Sequence, residues 1–315
     1  MTTITEEERR AYGYADLPRL MGMMTGDEKH GPAATSTLDV LWVLYDRVLR
    51  VRPETADDPG RDRFLLSKGH GPMAYYAVLA AKGFLPVDWL PGFGSYDSPL
   101  GHHPDRTLVP GAEIGSGSLG HGLPIGVGTA LGLRAQGLRE PGVWVLVGDA
   151  ELDEGSNHEA IAFAGPAGLE RLHTVVVDNA SASHARPGGI AARFEAAGWS
   201  TVTVDGRDHD ALYDALTLAH PGRPHLVVRP RGAEELLNAP LPHRTSERFR
   251  LSWTPCASVS RPSSPSCWTR IRASRSSSPR SAPPTSRRRC AAIPTGSSTS
   301  ASASSSSSGP ARVLP

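Results

Sequence analysis

The sequence predicts an α/β fold, a doubly wound and mainly parallel sheet flanked by helices, followed by a tail of a different kind. Three observations carry this. Apolar runs of strand length alternate with helical patterns over the second half of residues 1–228. The chain has 315 residues, 39% of them hydrophobic, enough for one or two domains with a real core. Composition changes sharply after residue 228.

The elements follow in order. STLDVLWVLYDRVLRV, from Ser36, places apolar residues at helical spacing behind a Ser/Thr cap. GPMAYYAVLAAKG, from Gly71, reads as a second helix closed by a glycine. LGHGLPIGVGTALGLRAQG, from Leu119, is a helix of small residues suited to close packing. VWVLVGD (143–149) is a strand and EGSNHEAIAFAGPAG a helix; HTVVVDN (173–179) and STVTVDG (200–206) are strands; DHDALYDALTLAH is a helix and PHLVV (224–228) a last strand. Strand, helix, strand at this spacing implies right-handed crossovers and a parallel sheet. Such sheets bind ligands beyond the carboxyl ends of their strands, where Gly148, Asp149, Asp178 and Asn179 fall.

Charge and composition exclude several function classes. The net charge of +1 hides a division: Leu251–Pro315 holds nine Arg and no Lys, Asp or Glu, which leaves the remainder with 24 basic and 32 acidic residues, a balance of −8. An acidic body argues against nucleic acid as a partner. No run approaches the ~18 apolar residues of a membrane span, and MTTITEEERR has no apolar core, so no secretory signal is expected. A cytoplasmic enzyme is the expectation. Cys256, Cys267 and Cys290 all lie in the tail, an odd count that suggests neither a disulfide framework nor a metal site.

Residues 1–228 form the expected ordered domain and 229–315 a low-complexity tail, in which 21 of the last 65 residues are serine. Its composition alone reads as a disordered Arg/Ser-rich extension. A sharper expectation is that it is read out of frame. With GC-rich codons chosen, a one-base shift can turn IPTGSSTSASASSSSSG (Ile293–Gly309) into HPDRVVNVGIREQLLVG, and CASVSR (256–261) into MRERFA. Codons unable to encode those words would end the idea.

Asp149 and Asn179 end two successive strands, thirty positions apart. If those strands are neighbours, both side chains reach one point above the sheet. A carboxylate and an amide carbonyl suit a hard, oxygen-seeking divalent cation. Mg²⁺ keeps few protein ligands and takes others from phosphate oxygens. The helix starting near Glu154 offers its N-terminus to an anion close by. Together these fit a metal-bridged diphosphate. Taken singly, Asp149 is equally a strand-end turn former and Asn179 an ordinary loop residue.

At GDAELDEGSNHEA (148–160) and VVVDNAS (175–181) the chain resembles the thiamine-diphosphate enzymes, specifically the N-terminal, diphosphate-binding half of transketolase. The likeness runs from about Gly26 to Val228. It includes KHGP (29–32), LSKGHGPMAYYAVLAAKG (66–83), GHHPDRTLVPGAEIGSGSLGHGLPIGVGTALG (101–132) and DGRDHDAL (205–212). The resemblance implies thiamine diphosphate and Mg²⁺ as cofactors. Asp149 and Asn179 would ligate Mg²⁺, with the backbone carbonyl of Ser181 as a third ligand. Gly148 and Ala150 would let backbone approach the diphosphate, and Gly117, Ser118 and Leu119 would touch the cofactor. His30, His70 and His103 would line the substrate channel, where neutral imidazoles relay protons near pH 7. Glu154 would sit in a subunit interface, linked to the partner site's glutamate. His102 and His121 stay open between contact and filler; His158, His173, His184 and His209 read as structural or exposed. Glu154 and Glu159 would face a partner subunit, while Glu151 and Asp153 are expected to be solvated.

The pattern also departs from the family. Ala150 replaces the second glycine of GDG, which is tolerable if its φ is negative. DNASASHARPGG departs from the usual loop after the Mg²⁺-binding Asn, and VVRPRGAEE replaces a Lys-Thr and glycine-rich segment. No in-frame pyrimidine-binding domain follows, yet the shifted NVGIREQ resembles that domain's glutamate motif.

The expected function is therefore a transketolase-like subunit that moves a two-carbon ketol unit between sugar phosphates when paired with a pyrimidine-domain subunit. A homodimer or heterotetramer is implied, with no nucleic acid and no membrane. The alternatives are an inactive cofactor-binding remnant, or another thiamine enzyme such as a 2-oxoacid dehydrogenase α chain or a deoxyxylulose-phosphate synthase. SKGH and EGSNHEA favour transketolase over those.

Overall fold

The computed structural model describes residues 12–24, 31–182 and 188–230. The chain divides into two units, 1–245 and 246–315, and every described residue belongs to the first. The sequence expectations for His30, His184 and the tail from 231 onward lie outside the described residues. Among those that are described, no helix is long and apolar enough to cross a membrane.

Among the described residues, five strands form one all-parallel sheet in the order β1-β2-β3-β5-β4: β1 Arg63–Leu66, β2 Val143–Gly148, β3 Leu172–Asp178, β4 Ser200–Thr203 and β5 His225–Pro230. The α-helices described with them are α1 Leu17–Gly22, α2 Gly31–Val43, α3 Met73–Ala81, α4 Gly122–Ala135, α5 Gly155–Ala164, α6 Gly189–Glu195 and α7 His209–Leu216.

Side chains alternate across the strands and feed two cores. On one face Trp144, Leu146, Val175, Val177 and Val227 join α2, α3 and α7. On the other, Val143, Val145, Val147, Val176, Leu226 and Val228 join α4, α5 and α6. The placement of the helices follows from handedness. The passages β2–α5–β3 and β3–α6–β4 cross the sheet in one direction, and β4–α7–β5 returns in the other. A right-handed crossover that reverses direction must carry its helix on the opposite face, and α7 lies there.

Several elements differ from expectation. The first long helix begins at Gly31, so Ser36 and Thr37 are buried inside it instead of capping it, with the Thr37 hydroxyl donating to the Ala34 carbonyl at 2.8 Å. It ends in a π-helical turn, Leu44–Val48. The last strand continues two residues past Val228, and Arg229 within it is buried. Strand β1 and helices α1 and α6 have no counterpart in the sequence reading; each has seven residues or fewer, too few for a period to show.

Close packing by small residues holds for α4. A Cβ on Gly126 would stand 2.5 Å from Val145 Cγ2 in β2, whereas one on Gly132 would meet nothing within 4 Å. Gly126→Ala should therefore lose about 1 kcal/mol or more, the overpacking outweighing the gain in helix propensity. Gly132→Ala should gain about 0.5–1 kcal/mol. Urea unfolding of the two variants checks the opposite signs.

Candidate functional site at the carboxyl ends of the strands

Strands β2 and β3 are adjacent and parallel, with Gly148 opposite Val177. Asp149 and Asn179 thus leave the same edge of the sheet side by side. Asp149 is 3% exposed. Its Oδ2 accepts from the backbone N–H groups of Ser181 (2.7 Å) and Ala182 (2.9 Å), and its Oδ1 from the Ser181 hydroxyl at 2.5 Å. Ser181 is thus brought to Asp149, and what it turns toward the carboxylate is its N–H and hydroxyl. The loop after β3 folds back because Ala180 adopts φ +58°, a left-handed conformation unusual for a residue with a Cβ. The Asp178 carboxylate supports that turn by accepting the Ala180 N–H at 3.1 Å.

Asn179 carries the most informative atom. Its Oδ1 is buried and, among the described residues, has no hydrogen-bond partner. A buried amide oxygen without a donor is costly, and a cation is one partner that would satisfy it. Among the described residues no group of three or more His, Cys, Asp or Glu could hold a metal. A cation here would therefore take one carboxylate and neutral oxygens. That donor set fits Mg²⁺, which takes its remaining ligands from phosphate and water.

Ala150 does not take positive φ; it opens a 3₁₀ turn, Ala150–Asp153, so its methyl group is accommodated without backbone strain. That turn also corrects an expectation. Glu151 is not solvated: it is 1% exposed, and its carboxylate accepts from the Ser67 hydroxyl, the Gly120 N–H at 2.9 Å and the Gly148 N–H at 3.3 Å. Burial pushes its pKa up, against the pull of those hydrogen bonds and of Lys68. Lys68, itself buried, is brought down to about 8 by desolvation, partly offset by the charges of Asp149 and Glu151. Sequence reasoning missed both residues; the one available signal was SKGH itself, a lysine between small residues at the end of a strand.

Three loops meet over this edge. A Cβ on Gly69 would strike Ser116 Oγ, and one on Gly117, whose φ is +131°, would lie 3.1 Å from the His103 ring. His70 and His103 face one another with ring centroids 6.0 Å apart, both exposed. The Tyr76 hydroxyl pins the His103 loop by donating to the Gly101 carbonyl at 2.9 Å, and the Ser116 N–H donates to the Pro104 carbonyl at 3.0 Å. Ser118 and Leu119 form the exposed tip of the next loop, Leu119 at 44%. That loop touches the start of α5, where the Ser156 hydroxyl donates to the Gly120 carbonyl at 2.7 Å. Glu154 is the N-cap residue of α5 and is exposed, as is Glu159.

Among the other histidines, His102 packs edge-on against Phe93, and His121 is exposed just before α4. His158 is half-buried on α5. His173 stacks on Trp144 at 3.9 Å in the sheet, with burial holding its pKa well below 6.5. The Nε2 of His209 bonds Asp39 at 2.9 Å. The last two are structural, as the sequence suggests.

The edge therefore gathers the Asp149 carboxylate, an Asn179 amide oxygen without a described partner, closely packed loops and two exposed imidazoles. The chain matches the family described as "Transketolase, thiamine diphosphate binding domain" over residues 23–230. It is 55% identical over 222 residues to a protein of Rhodococcoides fascians named ferredoxin fas2, covering 70% of this chain and 73% of that one. It is 37% identical over 206 residues to one subunit of the apulose-4-phosphate transketolase of Actinobacillus succinogenes, covering 63% and 74%. Among solved structures, a transketolase mutant from Pichia stipitis superposes with a TM-score of 0.60 at 25% identity, over 72% of this chain and 36% of that one. The chain thus spans about a third of the solved transketolase it matches. An iron–sulfur cluster needs cysteine thiolates, and residues 23–230 contain no cysteine.

Proposed function

The chain belongs to the transketolase thiamine-diphosphate-binding domain family, and from that premise we propose that it is the cofactor-binding subunit of a split transketolase. In this reading it binds thiamine diphosphate through Mg²⁺ and transfers a two-carbon ketol unit between sugar phosphates once a pyrimidine-domain subunit completes the site. The observation that carries the reading is the buried Oδ1 of Asn179, without a partner among the described residues, at the strand end next to the one that carries Asp149. The naming of a 37% identical relative as one subunit of a transketolase supports the two-subunit arrangement, as does a 31% identical relative from a Clostridium species named 6-deoxy-6-sulfo-D-fructose transketolase subunit SqwG.

Mechanism follows from the chain's own groups. Asp149 and Asn179 would hold the cation, and Gly148 and Ala150 would admit the diphosphate against backbone; the Ser181 carbonyl would become a third ligand once the loop exchanges the N–H and hydroxyl contacts it makes with Asp149 here. Leu119, exposed on its loop, offers apolar surface to the cofactor ring beside Gly117 and Ser118. When bound, the cofactor supplies the electron sink for breaking and making a carbon–carbon bond. His70 and His103 take and return protons at substrate hydroxyls, with His30 proposed as a third relay. Glu154, exposed at the start of α5, awaits the partner subunit.

Ketol transfer from a ketose phosphate to an aldose phosphate, measured with and without a pyrimidine-domain transketolase subunit, tests the proposal. Activity that appears only with the partner is expected. A chain that binds the cofactor yet stays inactive beside every such partner is a remnant instead.

A further inference from the structure

Glu151 stands at a junction that no simple capping role explains. Its single carboxylate gathers three donors from three separate places: the Ser67 hydroxyl after β1, the Gly120 N–H in the loop that carries Gly117–Leu119, and the Gly148 N–H at the end of β2. The Ser67 oxygen in turn accepts the Gly122 N–H at 3.0 Å. The backbone of Glu151 is held as well, because the fully buried Asn157 of α5 donates its side-chain N–H to the Glu151 carbonyl at 2.7 Å. The fit leaves no slack. A Cβ on Gly120 would stand 2.6 Å from Glu154 Cβ, and one on Gly122 would collide with Ser67 Cβ.

The donors are not arbitrary. Gly148 precedes Asp149, and Gly120 follows Leu119, so the carboxylate joins the diphosphate side of the proposed site to its ring side. Lys68 lies along the same seam, its side chain 3.4 Å from where a Gly148 Cβ would be.

We infer that Glu151 is a positioning residue: its carboxylate clamps the 115–121 loop and Ser67 to the end of β2, so that Asp149 and Gly117–Leu119 are preset to face one cofactor. The inference rests on the proposed function for the identity of that cofactor, but the clamp exists without it. A buried carboxylate is held by donors alone. A glutamine amide keeps one acceptor and turns an N–H₂ toward a donor, so Glu151→Gln breaks one arm while preserving size.

Hydrogen exchange of the ligand-free chain reads the clamp directly. In Glu151→Gln, the amide left facing the new N–H₂, that of Gly120 or of Gly148, should exchange about tenfold faster, the loss of one such hydrogen bond, while β4 and β5 exchange as in the wild type. Titration with thiamine diphosphate and Mg²⁺ reads the positioning. The Kd should rise about tenfold or more in Glu151→Gln, as it does when a group behind a metal site is lost. Gly126→Ala, destabilised elsewhere, should leave it unchanged. Unchanged exchange at Gly120 and Gly148 overturns the clamp. Faster exchange with wild-type affinity, or an affinity loss equal to that of Gly126→Ala, overturns the positioning role. If the wild type takes up no cofactor even beside a pyrimidine-domain subunit, the functional proposal falls, and exchange alone still decides whether the clamp is there.

Discussion

Asp149→Ala should reduce Mg²⁺-dependent thiamine diphosphate uptake by at least about a hundredfold, the upper end of what removing even an outer partner of a metal site costs. Two effects combine. The cation loses its one carboxylate, and a neutral set of oxygens holds Mg²⁺ poorly. The loop after β3 also loses its anchor, since three donors from Ser181 and Ala182 converge on that carboxylate. Ser181 and Ala182 are exposed, so water can replace the lost acceptor and each lost bond costs about 0.5–1.5 kcal/mol. The melting temperature should fall, while far-ultraviolet circular dichroism keeps the α/β signature because neither core contains Asp149. Asp149→Asn should hold the loop better than alanine, through its one remaining acceptor, and still fail to hold the cation. Calorimetry on both variants separates the two effects.

His103→Ala should lower kcat/KM for ketol transfer by about 10²–10⁴, the usual worth of a positioned acid–base group, and change the Kd of the cofactor far less. The geometry supports this split. His103 is exposed and its ring centroid lies 6.0 Å from that of His70, while the described donors to the Asp149 carboxylate come from Ser181 and Ala182. Its ring also packs against Gly117, so some loosening of the 115–120 loop is expected. His103→Asn, which keeps a polar group of similar reach without a titrating ring, should restore the loop and not the rate. A variant that loses cofactor affinity and rate in equal measure would place His103 in binding instead of proton relay.

That Asp149 and Asn179 leave neighbouring strand ends was legible in sequence because it depends on local facts. Each residue ends an apolar run of strand length, and consecutive strands of one crossover unit are usually neighbours. The packing of α4 was legible for the same kind of reason: a helix rich in glycine and alanine can approach a sheet closely. Glu151 was misjudged because its burial is a property of residues far along the chain. Within GDAELDEG it is one of four acids, and an acidic run at a helix start is stable in water. Only folding brings Ser67, 84 positions earlier, and Gly120, 31 positions earlier, over its carboxylate. The start of α2 was hidden differently. Ser36 and Thr37 look like caps in isolation, but they are buried five residues into a helix that already began at Gly31. Strand β1 is four residues long, and its neighbours in sequence are charged, so the period that identifies longer strands never develops.

Titration calorimetry of thiamine diphosphate into the full chain, with Mg²⁺ and then with EDTA, tests the central claim most directly. The expected result is one cofactor per chain, with heat that disappears on chelation and in Asp149→Ala. No Mg²⁺-dependent uptake by the wild type, even beside a pyrimidine-domain subunit, would contradict the claim that the ends of β2 and β3 hold a metal-bound diphosphate.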